Sequence, residues 1–308
     1  MKLSLNLLLL LFVWKGIAQE SNFTSNDISI NSHVEGTLLT PIADNEHTLA
    51  ILIAGSGPTD RNGNQNFLKN NSLKKLAEGL TSKGISTFRF DKRIVKQIRT
   101  RNIDKTIMFD DFVTDATSVI DYFKSKSTYS KIYVIGHSQG SLVGMLASKG
   151  NVDGFVSIAG TGQPIDSVIL EQVGNMDPGL YEPTAKVFNS LRDGQTTTDY
   201  PAALVSVFNI DTQPFIMNWM QYDPTAIIKT LDMPILVING SKDLQITKEE
   251  AQRLADASDN ADLQIITNMN HVLFLIEGDD LENSKSYNES FRAISEELIT
   301  LVSAFIKD

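Results

Sequence analysis

The chain has 308 residues, 42% of them hydrophobic, with 27 Lys and Arg against 37 Asp and Glu and a formal net charge of −10. This length and apolar content can fill a sizeable core, and the acidic balance argues against a nucleic-acid binder, which needs a basic face. The lack of cysteine excludes disulfides, a thiol nucleophile and Cys-based zinc sites, and four scattered histidines leave little for a metal centre.

Residues 1–18 read as an export leader. Lys2 supplies the positive start, residues 3–14 are apolar apart from Ser4 and Asn6, and Gly16 and Ala18 place small residues where a signal peptidase cuts. The apolar run is short for a membrane span. The expectation is a periplasmic or extracellular protein with no stable membrane anchor after cleavage.

Strand and helix then alternate. Residues 28–30 and 34–40 suggest an N-terminal hairpin, and residues 49–54 form a continuous apolar run of the kind buried on both faces of a sheet. A helix is predicted over 72–83, with Leu73, Leu76, Ala77 and Leu80 on one face and Gly84 as its stop. A strand follows at 85–90. The basic run Lys92, Arg93, Lys96, Arg99, Arg101 and Lys105 reads as a solvated loop. Phe112, Ala116, Val119, Ile120 and Phe123 repeat at helical spacing, followed by a strand at 132–135, a helix at 139–149 and a strand at 155–158. From 163 to 230 the alternation stops. Pro178, Pro183, Pro201, Pro214 and Pro224 break this stretch into short helices carrying several aromatic residues, whose default role is packing. A strand at 234–239, a helix at 247–257, a strand at 263–266 and a last helix carrying Phe291, Ile294, Leu298, Leu301 and Phe305 complete the chain. The pattern predicts an α/β core, residues 19–162 and 231–308, with a mostly parallel central sheet flanked by helices. Residues 163–230 are predicted as an inserted helical cap.

The sharpest motif is Gly136-His137-Ser138-Gln139-Gly140, which lies between a predicted strand and a predicted helix. A G-x-S-x-G sequence in that setting makes a tight turn that lifts the serine hydroxyl above the sheet. The Gln139 backbone N–H then points to where an oxyanion would form.

On these residues the chain resembles the α/β-hydrolase superfamily, and is most similar to exported bacterial esterases and serine-aminopeptidase-like hydrolases with a helical cap. The likeness runs from about residue 49 to the C-terminus. It implies the α/β-hydrolase fold and a chain order of nucleophile, acid and histidine, hence a base after Ser138. His271 is the histidine that leaves room for an acid between, and it follows a predicted strand. His137 is directed away by the turn and reads as a packing residue, while His33 and His47 flank the N-terminal strands. Asp243 follows the strand at 234–239 in Gly240-Ser241-Lys242-Asp243, matching the family's Gly-x-x-Asp acid. Asp232 precedes that strand, and Asp211 and Asp223 fall in the cap. The resemblance assigns a second oxyanion donor to the backbone N–H of Ser56, although Ala54-Gly55 stands where the family has His-Gly. The same loop lacks the Lys of a phosphate loop, the third glycine of a dinucleotide fingerprint and the final acid of a calcium loop.

The expected function is hydrolysis of short-chain acyl esters, of two to six acyl carbons, through an acyl-enzyme. Ser138 is expected as nucleophile, His271 as base, Asp243 as its partner, and Ser56 and Gln139 as oxyanion donors. The partner is a small acyl ester, and no cofactor or metal is called for. An amidase or aminopeptidase on the same residues is the alternative; it would need carboxylates such as Glu171, Asp177, Glu182 or Asp193 to face a free amine. A non-catalytic binding protein would have no need of this residue set.

Overall fold

The computed structural model describes residues 22–43 and 47–308. The leader expected at residues 1–18 lies outside the described residues.

Eight strands form one sheet: β1 (Phe23–Ser29), β2 (Glu35–Pro41), β3 (Thr48–Ile53), β4 (Ser86–Phe90), β5 (Lys131–His137), β6 (Gly154–Ile158), β7 (Ile235–Gly240) and β8 (Ala261–Ile266). Their spatial order is β1-β2-β4-β3-β5-β6-β7-β8. β1 and β2 form an antiparallel hairpin, β2 runs antiparallel to β4, and every other neighbour is parallel. The parallel part follows from composition. β3, β4, β6 and β7 are buried at every position, which requires helices on both faces of the sheet.

Those helices supply two apolar layers. On one face α3 (Phe109–Lys126) and α4 (Gln139–Ser148) pack Phe112, Val119, Phe123 and Leu142 against Leu49, Ile51, Val134 and Phe155. On the other, α1 (Ser72–Ser82) and the terminal helix pack Leu76, Leu80, Val302 and Ile306 against Leu52, Ile135 and Ile238. The two residue sets alternate along β3, as a period of two demands. Each of these fully buried aliphatic side chains stabilises the fold by about 1.5–3 kcal/mol.

Two elements differ from the sequence expectation. Within the basic stretch after β4, Arg93–Thr100 form a helix, α2, whereas Arg101 and Lys105 lie beyond it and are exposed, as a solvated loop is. Arg93 bonds Asp115 and Asp111, and Arg99 bonds Asp91, so these two charges are neutralised by acids outside the helix. The terminal helix starts at Glu296, where the Ser295 side chain caps the Leu298 N–H. Phe291 lies before it and is exposed, and Ile294 forms an isolated bridge with Phe274. A further short helix, Asp280–Ser286, has no counterpart in the expected elements.

Between β6 and β7 stand α5 (Ile165–Met176), α6 (Tyr181–Arg192), α7 (Val205–Phe208), α8 (Gln213–Trp219) and α9 (Pro224–Ile228). They have a core of their own, including Val187, Phe188, Leu191, Leu204 and Phe208. They dock on the start of α3. Trp219 stacks on Phe109 with ring centres 5.5 Å apart, and Phe215 meets Phe112 at 5.6 Å. Tyr222 Oη donates to Asp110 Oδ1 at 2.5 Å.

Candidate active site

Parallel strands in register deliver their following loops to one edge of the sheet. Ile53 pairs with Gly136, His137 with Ile158, and Gly240 with Ile266. The loops carrying Ser56, Ser138, Asp243 and His271 therefore converge on one crevice, the usual ligand position in such sheets.

Ser138 sits at the turn from β5 to α4 with φ 54° and ψ −123°. A non-glycine residue there stores about 1–3 kcal/mol of backbone strain. The turn is held by Ser138 N–H donating to Ile158 O at 2.8 Å and Ser141 N–H donating to Ser138 O at 2.9 Å. The flanking glycines make it possible. A Cβ on Gly136 would lie 2.2 Å from Gly140 O, and one on Gly140 would lie 2.3 Å from Ile53 O. The Gln139 N–H opens α4, so the helix has no acceptor for it.

Asp243 and His271 meet. His271 Nδ1 lies 2.8 Å from Asp243 Oδ2, and both side chains are buried. A carboxylate only accepts, so Nδ1 carries the hydrogen, and in the neutral ring the lone pair is on Nε2. The other Asp243 oxygen accepts the Gln245 and Ile246 N–H groups at 2.8 and 2.9 Å, so the residue also shapes its own loop. The His271 loop is pinned by a buried polar network. Asn270 donates to Asn283 Oδ1 and Ser286 Oγ and accepts the Phe274 N–H, while Asn283 donates to Lys242 O. Sequence reasoning missed these residues, since polar side chains spread over 242–286 have no local signature.

His137 is more than packing. It is buried, its Nε2 donates to the backbone carbonyl of His271 at 2.8 Å, and the two rings lie 4.9 Å apart. Burial, reinforced by His271, pulls its pKa down to about 4, so it stays neutral at ordinary pH.

Ser138, His137, His271 and Ser56 line one small cavity of about 70 Å³ with Gln65, Asn70 and Tyr287. Ser56 is exposed and also borders a second cavity, of about 540 Å³. Gln139 and Lys92 form its floor, and Ile94, Ile98, Ile103, Phe112, Phe215 and Trp219 its apolar walls. Asp104 and Asp211 stand at its edge, where Asp104 accepts from Thr106 and Asp211 pairs with Lys105. Glu171, Asp177, Glu182 and Asp193 border neither cavity. Asp60, in the loop tested for calcium, turns its Oδ1 to the Asn62 and Asn64 N–H groups. Among the described residues no cluster of three His, Asp or Glu could hold a metal ion.

The arrangement brings a serine hydroxyl and an imidazole bonded to a carboxylate to one cavity.

The sequence profile of the alpha/beta hydrolase family matches residues 100–282. Esterase EstD of Thermotoga maritima is 26% identical over 265 residues, 83% of this chain and 62% of that protein, so the chain spans less than two thirds of this relative's length. Est1E from Butyrivibrio proteoclasticus matches in structure with a TM-score of 0.58 and 15% identity, over 92% of this chain and 99% of that one. Proline iminopeptidase from Mycobacterium smegmatis matches with a TM-score of 0.53 and 13% identity, over 92% and 98%. At such identities the structural likeness speaks to fold alone.

Proposed function

The chain belongs to the alpha/beta hydrolase family, and on that premise we propose that it hydrolyses carboxylic esters by way of an acyl-enzyme on Ser138. The observation that carries the reading is the 2.8 Å bond from His271 Nδ1 to Asp243, made where His271 and Ser138 line the same cavity. The bond leaves Nε2 as the basic atom. Ser138 Oγ attacks the ester carbonyl as His271 takes its proton, and the carbonyl oxygen becomes an oxyanion held by the Ser56 and Gln139 N–H groups. Collapse expels the alcohol, which receives the proton from His271. A water molecule then attacks the acyl-serine with His271 again as base, releasing the carboxylic acid and restoring Ser138. Asp243 stabilises the imidazolium at each stage.

The name of the EstD relative supports an ester over an amide, and the cap supports the same choice. An aminopeptidase needs an unengaged carboxylate for the substrate's amine. The four acids expected for that role border neither cavity, and Asp104 and Asp211 are already bonded.

The expected limit of two to six acyl carbons assumed a cap that closes tightly over the site. The 540 Å³ apolar cavity beside both oxyanion donors is of a size that buries a drug-like ligand. We therefore place the acyl group there and move the optimum toward medium-chain or aryl-substituted acids. Each added methylene that finds a wall contributes up to about 0.8 kcal/mol. The test is kcat/KM for p-nitrophenyl esters from acetate to palmitate, beside aminoacyl anilides. The expected profile rises from acetate to about eight carbons and exceeds every anilide. A maximum at two to six carbons restores the short-chain limit, and faster anilides overturn the ester reading.

We also propose export, on the composition of residues 1–18. N-terminal mass spectrometry of the protein from its native host should find a start near Gln19, and a retained Met1 would refute it.

A further inference from the structure

Lys92 caps the start of α2 and is buried. Its Nζ donates to Gly55 O at 3.0 Å and to Gln139 Oε1 at 2.7 Å, and it sits 4.2 Å from the centre of the Phe112 ring. Among the described residues it has no carboxylate partner. Burying an ammonium without a counter-ion is costly, whereas an aliphatic side chain would fill this place without that cost. A group retained at such expense beside a reactive serine invites a functional account.

One acceptor adjoins Ser56 and the other is the side chain of Gln139, the two residues proposed to hold the oxyanion. Gly55 O shares a peptide unit with the Ser56 N–H. That peptide is trans, so the carbonyl and the N–H point in opposite directions. With the carbonyl drawn to Lys92, the Ser56 N–H is turned away from it. Gly55 also lies against Ser138, since a Cβ built on it would stand 3.2 Å from Ser138 Cβ. The bond to Gln139 fastens the other donor residue to the same ammonium.

We infer that Lys92 is a positioning residue that fixes the Ser56 and Gln139 backbone N–H groups for the oxyanion by holding Gly55 O and the Gln139 side chain together. Burial lowers the Lys92 pKa to about 7. A neutral amine still has two N–H groups, one for each acceptor, so the clamp does not require the charge.

This inference rests on the serine-hydrolase reading, and the experiment separates the two. Wild-type protein is first treated with a fluorophosphonate; no adduct on Ser138 sinks that reading. Lys92→Met is then compared with wild type for thermal stability, kcat, KM and inhibition by a trifluoromethyl ketone bearing the best acyl group. The ketone forms a tetrahedral adduct that uses the oxyanion donors, whereas ground-state ester uses them little. The expected result is folded protein with kcat down about 10- to 100-fold, ketone affinity down in parallel, and KM within about three-fold. Unchanged kcat and ketone affinity in folded Lys92→Met overturn the inference, as does a rise in KM alone. Should Lys92→Met not fold, Gln139→Met removes one of the two contacts. A smaller parallel loss in kcat and ketone affinity supports the clamp, and no loss in either overturns it.

Discussion

Ser56 borders two cavities that are held in opposite ways. The smaller one, with Ser138 and His271, is held by hydrogen bonds of polar side chains in and behind it: Asp243 holds His271 Nδ1, His137 holds the His271 carbonyl, and Asn270 and Asn283 hold the loop. The larger one is apolar, and its walls are held by packing of Phe109, Phe112, Phe215 and Trp219. Directional bonds fix atoms to fractions of an ångström, as a reacting group requires. Packing fixes a volume and tolerates exchange of shape. Substitutions in the first region should change the chemical step, and those in the apolar walls of the second, away from Lys92 and Gln139, the choice of acyl group.

The largest expected effect is at the base. His271→Ala should lower kcat by roughly 10⁴–10⁶, and the double variant with Ser138→Ala should be no worse, because the two act as one unit. Steady-state assays on the best ester measure both, and additive losses would break the picture of a single polar assembly.

Next is Asp243→Asn. The amide oxygen can still accept the Gln245 and Ile246 N–H groups, so the loop should keep its shape. The His271 tautomer is no longer enforced, and kcat should fall about 10²–10⁴ with little change in thermal stability. A large drop in stability without a kcat effect would make Asp243 a loop former only.

His137 connects the polar region to pH. Its folded pKa of about 4 lies below the ordinary 6.5, so the unfolded chain binds a proton that the fold refuses. This contribution to stability is fully present above about pH 6.5 and is lost as pH falls toward 4, by at most about 3 kcal/mol. His137→Gln, which keeps a donor for the His271 carbonyl, should flatten the decline in denaturation midpoint over that window. An unchanged slope would exclude His137 as its source.

The smallest effect is in the cap. Trp219→Ala should lower kcat/KM for the longest good ester about ten-fold and leave acetate ester hydrolysis nearly unaltered. An equal loss on both would mean that the cap governs chemistry as well as selectivity.

The alternation of strand and helix is legible in the sequence because β3, β5 and β7 are apolar on both faces and their helices keep a period near 3.6 residues. The turn at Ser138 is legible because two glycines bracket it where no Cβ fits. Asp243 and His271 are legible as loop residues after adjacent parallel strands, which the fold sets side by side. The α2 helix is not, since Arg93 and Arg99 look solvated until Asp91, Asp111 and Asp115 are brought to them in three dimensions. Lys92 is hidden for the same reason: its acceptors lie 37 and 47 residues away. Ile94 and Ile98, spaced four apart and bordering the cap cavity, together with the buried Val95, are the local sign of a helix there.

The central claim is that Ser138 is the nucleophile of a hydrolase. Peptide mapping by mass spectrometry after a fluorophosphonate reaction tests it most directly. The account predicts one covalent adduct, on Ser138, with loss of ester hydrolysis in step with labelling. An adduct on another residue, or full ester turnover by Ser138→Ala, would contradict it.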